Sequence, residues 1–161
     1  DLCLTYEDAE FLVYQDERYT FKEVHNITNR IADVLITIYG IGPGDPVALV
    51  MRNTPEYPML MMALASVGAL TVCLNSWWTE KELKYGFLDC GASLAFADEE
   101  RSEKIRSFAS DLGIKLVQVR DRWKPVLQSA GLDTSVLRPR VSWSLGGSHH
   151  FIGFRKNSSE V

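Results

Sequence analysis

Several residue types and patterns are scarce in this chain, and each scarcity closes off a class of function. Its 161 residues include three cysteines and three histidines. No spacing among Cys3, Cys73, Cys90, His25, His149 and His150 matches a zinc site. An odd cysteine count, with Cys73 inside an expected core strand, points to reduced thiols and a cytoplasmic location rather than a disulfide framework. Cys73 and Cys90 are expected to act as small buried hydrophobes. Basic charge is also short: the net charge is -4, no basic stripe is present, and nucleic acid is not an expected partner. There is no Gly-x-Ser-x-Gly elbow, no His-Glu-x-x-His pair, no internal repeat and no low-complexity tract. The first residue is Asp1 rather than Met, and no signal peptide is visible. The last residues, Ser159-Glu160-Val161, are not the Ser-Lys-Leu peroxisomal address.

One absence points the other way. From Tyr57 to Thr79 there is no charged residue, a span long enough for a membrane helix, with Trp77 and Trp78 as an interfacial belt. Pro58, Gly68 and Asn75 interrupt it, and Gly68 divides it into one helix-sized and one strand-sized piece. A membrane span is therefore the minor reading.

What is present is a βαβ rhythm. Three short apolar runs, Pro46 to Met51, Leu70 to Leu74 and Ala92 to Ala97, are bounded by Gly, Pro, Asn or Asp. They read as strands buried on both faces of a parallel sheet, with helices over about 55–67 and 79–89 between them. The fold class is α/β.

Local signals sharpen the boundaries. Phe11 to Gln15 predicts a strand paired with Arg18 to Thr20 through a turn. Thr20 and Glu23 form a capping box, with Tyr19 and Val24 as its hydrophobic staple. Val24, Ile27, Ile31, Leu35 and Ile38 recur at helical spacing, and the helix is expected to stop at Gly40. Gly40, Gly42 and Gly44 suggest a phosphate loop, but they follow a helix and open a strand, the reverse of a dinucleotide loop. A C-cap and a tight turn explain them better. Thr54 and Pro55 predict a helix cap and first position, with Pro58 disturbing the first turn. Met59, Leu60, Met61, Met62, Leu64 and Val67 make that helix apolar nearly all round. It is a buried helix or, as the alternative, a flexible methionine surface. Thr79 and Glu82 form a second capping box, stapled by Trp78 and Leu83. Asp98 caps a last helix whose stripe is Ile105, Phe108, Ala109 and Leu112, ended by Gly113. Lys115 to Val119 predicts a strand near a sheet edge. Asn26-Ile27-Thr28 and Asn157-Ser158-Ser159 fit the glycosylation pattern, the first of them inside a helix.

These elements carry a family resemblance. Gly40-Ile41-Gly42-Pro43-Gly44-Asp45-Pro46-Val47-Ala48-Leu49, Asn53-Thr54-Pro55-Glu56 and the run from Leu64 to Thr79 resemble the AMP-dependent synthetase and ligase family. Asn75-Ser76-Trp77-Trp78-Thr79-Glu80-Lys81-Glu82-Leu83 with Asp89-Cys90-Gly91-Ala92 is most similar to acyl-CoA synthetases (fatty-acid–CoA ligases). The resemblance runs from about Phe11 to Arg120. It implies a partial three-layer α/β/α fold with a mostly parallel sheet, the start of the large N-terminal domain of adenylate-forming enzymes. Residues 1–132 are then an incomplete α/β domain of an AMP-binding enzyme. Residues 133–161 show no usable periodicity and are expected to be an irregular, disordered or non-family tail, departing from the family's reading frame after about Leu132 or running into an intron.

The resemblance also implies a chemistry. Full-length members use ATP and magnesium to convert a carboxylic acid, here expected to be a fatty acid, to an acyl-adenylate, and pass the acyl group to CoA. The family's phosphate loop, of the type Thr-Ser-Gly-Thr-Thr-Gly-x-Pro-Lys-Gly, has no counterpart in this sequence. Ser142-Trp143-Ser144-Leu145-Gly146-Gly147-Ser148 stands roughly where one would begin, without the Thr pairs or the Lys. Many relatives carry an Arg, associated with the phosphates of CoA, where this chain has Trp77, which is expected instead to pack. No residue is therefore assigned a catalytic, cofactor-binding or metal role. No cofactor is expected for this chain alone, and ATP, magnesium and CoA belong to the full-length family.

Overall fold

The computed structural model describes residues 5–119. Cys3, His149, His150, the stretch 133–161 with Ser142 to Ser148, and Asn157 to Ser159 lie outside the described residues.

The N-terminal hairpin forms as the pattern predicts. Strand β1 (Glu10–Tyr14) pairs antiparallel with β2 (Glu17–Thr20). Thr20 then opens α1 (Phe21–Thr37): its hydroxyl accepts from the Glu23 N–H, and the Glu23 carboxylate accepts from the Thr20 N–H. Such a cap contributes about 1 kcal/mol. Val24, Ile31 and Leu35 are buried, and Tyr19 packs on the same cluster. Ile38 departs from the predicted stripe and is 53% exposed. The helix closes just before it, and Gly40 at φ 69° turns the chain so that the Ile41 N–H reaches the Leu35 carbonyl at 2.8 Å. Tyr39 takes the inward place, edge-on to Phe96.

Four strands make the main sheet: β3 (Pro46–Val50), β4 (Leu70–Cys73), β5 (Leu94–Ala97) and β6 (Lys115–Gln118). Their order is β4-β3-β5-β6, all parallel. Alternation in the two central strands supplies two cores. Val47, Leu49, Leu94 and Phe96 face α1 and α2 (Glu56–Ser66). Ala48, Val50, Ala95 and Ala97 face α3 (Glu80–Cys90) and α4 (Glu99–Ala109), where Leu83, Phe87, Ile105 and Phe108 meet them. Each fully buried Leu or Phe contributes about 1.5–3 kcal/mol. The result is three layers, helices on both faces of a parallel sheet.

The charge-free stretch divides at Gly68. Its φ of 76° ends α2, and the Ala69 N–H reaches back to the Leu64 carbonyl. A Cβ at Gly68 would lie 3.3 Å from Pro43, so both conformation and space favour glycine there. No helix among the described residues is long and apolar enough to cross a membrane. Met59, Leu60, Ala63 and Leu64 are buried, as a core helix requires, while Met61 is exposed.

Two local expectations fail here. Thr54 does not cap α2: Pro55 holds the N-cap position, no side chain bonds the helix start, and the buried Thr54 hydroxyl has no partner. Cys73 is exposed rather than buried, because among the described residues β4 is an edge strand with one neighbour, and Leu70 is 58% exposed for the same reason. β6, the other edge of this sheet among the described residues, stands as predicted.

Two predictions follow from packing. A Cβ at Gly86 would sit 2.9 Å from Trp78 Cζ3 and 3.2 Å from Leu74 Cδ2. Gly86→Ala is expected to destabilise the chain by about 1–3 kcal/mol in urea unfolding, despite a helix-propensity gain of about 1 kcal/mol. His25 is buried on α1 with Nε2 unpartnered, and burial holds its imidazole below the usual 6.5. The folded state therefore binds fewer protons than the unfolded state. Stability is expected to fall as pH drops from about 7 through the unfolded and then the lower folded value. In His25→Gln the unfolding midpoint should vary less over that window.

Candidate functional site

In a parallel sheet, ligands gather where neighbouring strands send their connections to opposite faces. Here that place lies between β3 and β5. The chain leaves β3 for α2 on one face and leaves β5 for α4 on the other. The segments emerging at this edge are Met51 to Asn53, Leu74 to Trp78, and Asp98.

Asp98 joins them. Its Oδ1 accepts from the Arg101 N–H at 3.1 Å, the predicted cap. Its Oδ2 accepts from the Arg52 N–H at 3.0 Å, tying the end of β3 to the end of β5. Arg101 adds the third segment. Its Nε donates to the Ser76 carbonyl at 2.8 Å, and its Nη1 donates to Glu100 at 2.8 Å and to Asp98 at 3.3 Å. The Arg101 side chain is 2% exposed. Buried arginines need partners, and two carboxylates and a carbonyl supply them; Nη2 has no hydrogen-bond partner.

The loop between β4 and α3 is a tight turn. Asn75 Oδ1 accepts from the Trp77 N–H at 2.9 Å, and the Asn75 carbonyl accepts from the Trp78 N–H at 3.1 Å. Thr79 and Glu82 then make the predicted capping box. Hydrogen bonds from the Thr79 backbone and hydroxyl hold the Glu82 carboxyl below its ordinary range. Trp78 packs inward beside Leu83 as the staple. Trp77 does not pack inward as predicted. It is 72% exposed, and its ring carries the Arg52 guanidinium at 4.9 Å and that of Arg101 at 5.8 Å. An indole face attracts cations, and the two arginines come from different segments, Arg52 from the loop after β3 and Arg101 from the first turn of α4.

Nearby, on the first turn of α2, burial raises the Tyr57 hydroxyl to about 12, helped by its hydrogen bond and charge interaction with Cys73. A shallow concavity of about 320 Å³ runs along α3 between Trp78, Lys81, Glu82 and Tyr85. Its lining carries one cation and one anion, and it meets the crevice only at Trp78.

Arg101 is neutralised by Asp98 and Glu100, no histidine belongs to the crevice, and no group of three or more metal-ligating side chains occurs among the described residues. The glycines at 40, 42 and 44 form the turn into β3, as predicted, with the Gly42 N–H on Asp45 and the Gly44 N–H on the Gly68 carbonyl. Ser142 to Ser148 lies outside the described residues. Arg101 was the residue sequence reasoning missed. A signal was available, because it stands four residues before Ile105 on the apolar stripe, where a charge requires a partner.

The family model for AMP-binding enzymes matches residues 3–143. The chain belongs to this family. Long-chain fatty acid transport protein 2 of Rattus norvegicus is 36% identical over 95 residues, which is 59% of this chain and 15% of that protein. Medium/long-chain-fatty-acid–CoA ligase FadD6 of Mycobacterium tuberculosis is 33% identical over 100 residues, 61% of this chain and 17% of that protein. Among solved structures, the N-terminal domain of FACL13 from Mycobacterium tuberculosis matches with a TM-score of 0.72 at 26% identity, covering 84% of this chain and 36% of that one. The chain thus spans under a fifth of the length of these curated relatives. Its α/β layers are those of the N-terminal domain of adenylate-forming enzymes.

Arg101→Ala would leave the Ser76 carbonyl without its donor and Asp98 with only its two backbone N–H donors, and a loss of about 2 kcal/mol is expected in urea unfolding. Trp77→Ala removes only exposed cation–π contacts and should cost about 1 kcal/mol or less. The reverse ranking would show that the indole, not the ion pair, holds the edge together.

Proposed function

We propose that these residues are scaffold for an acid–thiol ligase and do not turn over by themselves. In this reading the whole enzyme activates a carboxylic acid, a fatty acid by preference, with ATP and magnesium. The acid's carboxylate attacks the α-phosphorus and displaces pyrophosphate, and the acyl group then passes to the CoA thiol with release of AMP. The observation that carries the reading is the family match over residues 3–143, on a chain whose sheet is that of adenylate-forming enzymes. Relatives named as fatty-acid–CoA ligases support the substrate class.

Within that enzyme the part played by 1–132 is architectural. The parallel sheet presents the crevice between β3 and β5, and Asp98 and Arg101 fasten its three segments. The crevice fits a contact surface better than a reaction centre. Among the described residues its two guanidiniums are spent on contacts, that of Arg101 on Asp98, Glu100 and the Ser76 carbonyl and that of Arg52 on the Trp77 ring. The adenylating groups lie elsewhere, because the sequence has no Thr/Ser/Gly-rich phosphate loop ending in Lys-Gly.

The test is pyrophosphate release by the full 161-residue chain supplied with fatty acids, ATP, magnesium and CoA. Release at the no-enzyme background is expected. Robust acid-dependent release would overturn the scaffold assignment.

A further inference from the structure

The concavity on α3 is built by a glycine and a capping box. A Cβ at Gly86 would stand 2.9 Å from Trp78 Cζ3, so the bare glycine lets the indole lie against the helix backbone. Trp78 is the half-buried floor, and the exposed Lys81, Glu82 and Tyr85 stand around it. The Glu82 side chain is held in one place. Its Oε2 accepts from the Thr79 N–H at 2.7 Å and from the Thr79 hydroxyl at 2.8 Å. Its Oε1 has no partner among the described residues, which leaves a fixed carboxylate oxygen beside two aromatic rings. At about 320 Å³ the space is at the small end of ligand pockets.

Charge in and around this space is balanced. Lys81 and Glu82 line it, and Glu80 and Lys84 stand beside it on the helix, one of each sign. On the far side of Trp78, Lys104 of α4 donates to the Trp78 carbonyl at 3.4 Å and lies 4.0 Å from Glu100. The balance narrows the ligand. Aromatic rings beside a carboxylate attract a weakly hydrated cation, a quaternary ammonium above all. Lys81 repels a ligand that is cationic only, and Glu82 one that is anionic only. An uncharged ligand would take water from both side chains and replace none of its hydrogen bonds. A ligand carrying both charges a short distance apart meets each group with its opposite.

We propose that this concavity binds a small zwitterion, its trimethylammonium group among Trp78, Tyr85 and Glu82 and its carboxylate on Lys81. The capping box lowers the ordering cost, because Glu82 is already fixed before the ligand arrives. Binding here is independent of the ligase reading, since none of the adenylating chemistry is assigned to these side chains.

The probe is trimethylglycine, titrated into the full 161-residue chain and followed by the backbone amide resonances of residues 81–85. Two comparators each lack one charge: tert-butylacetate has carbon in place of the quaternary nitrogen, and tetramethylammonium has no carboxylate. Saturable millimolar binding is expected for trimethylglycine, about threefold tighter than for either comparator. Tyr85→Leu should weaken it about threefold. Glu82→Gln should do the same, because Gln preserves the capping box and loses only the charge. Lys81→Met should weaken trimethylglycine and strengthen tetramethylammonium, a crossover that loss of packing would not produce. Unfolding midpoints should be unchanged in Tyr85→Leu and Lys81→Met, whose side chains are exposed. The proposal is overturned by the absence of a saturable shift at residues 81–85, or by equal affinity for tert-butylacetate. Undiminished affinity in both Tyr85→Leu and Glu82→Gln would overturn it as well.

Discussion

Two strands, β3 and β5, are shielded from water on both faces, and that requirement places almost everything else. Val47, Ala48, Leu49 and Val50 are fully buried, as are Ala95 and Ala97 on the neighbouring strand. A strand so placed offers no side to solvent, so each face needs its own helical layer. The two faces are filled differently. Toward α1 and α2 the sheet presents Val, Leu and Phe; toward α3 and α4 it presents chiefly alanines. The second pair of helices supplies the missing bulk with Leu83, Phe87, Ile105 and Phe108, and the Phe87 and Phe108 rings lie 5.9 Å apart. Space is tight enough above β4 that Gly86 admits the Trp78 ring against the helix backbone.

The same strand order creates the crevice. With β3 and β5 side by side and their connections leaving to opposite faces, the ends of three strands meet at one edge. The Arg101 side chain there is removed from water, and a desolvated guanidinium is tolerable only when its charge is matched and most of its N–H groups are used. Asp98 and Glu100 match the Arg101 charge, and its Nε and Nη1 are used though Nη2 is not, while Asp98 also caps α4 and holds the loop after β3 and Arg101 holds the loop after β4. Members of one fold family vary their chemistry at such edges while the sheet beneath persists. That separation suits the division proposed here between a layer that positions and groups elsewhere that react. The exposed Trp77, bridging Arg52 and Arg101, belongs to the positioning layer as a flat cover on two cations.

What could be read from the residues alone was whatever is decided within a few positions along the chain. The alternation of apolar and polar runs, both capping boxes and the turns at Gly40 and Gly68 depend on near neighbours along the chain, so the α/β class and nearly all element boundaries were legible. Motif resemblance added the family. Exposure was different. Cys73 sits in a short, largely apolar run much like Val47 to Val50, yet it is exposed, because among the described residues strand order made β4 an edge and β3 a centre. Ile38 kept the helical period but fell past the turn that swings Tyr39 inward. Arg101 looked like one more helix charge until β4 and β5 brought Ser76 and Asp98 around it, and Trp77 looked like core until its loop faced outward. Hydrogen bonds to near neighbours and side-chain periodicity are properties of the chain itself. Burial, charge pairing and the crevice depend on which distant segments become adjacent, and only the packed sheet decided that.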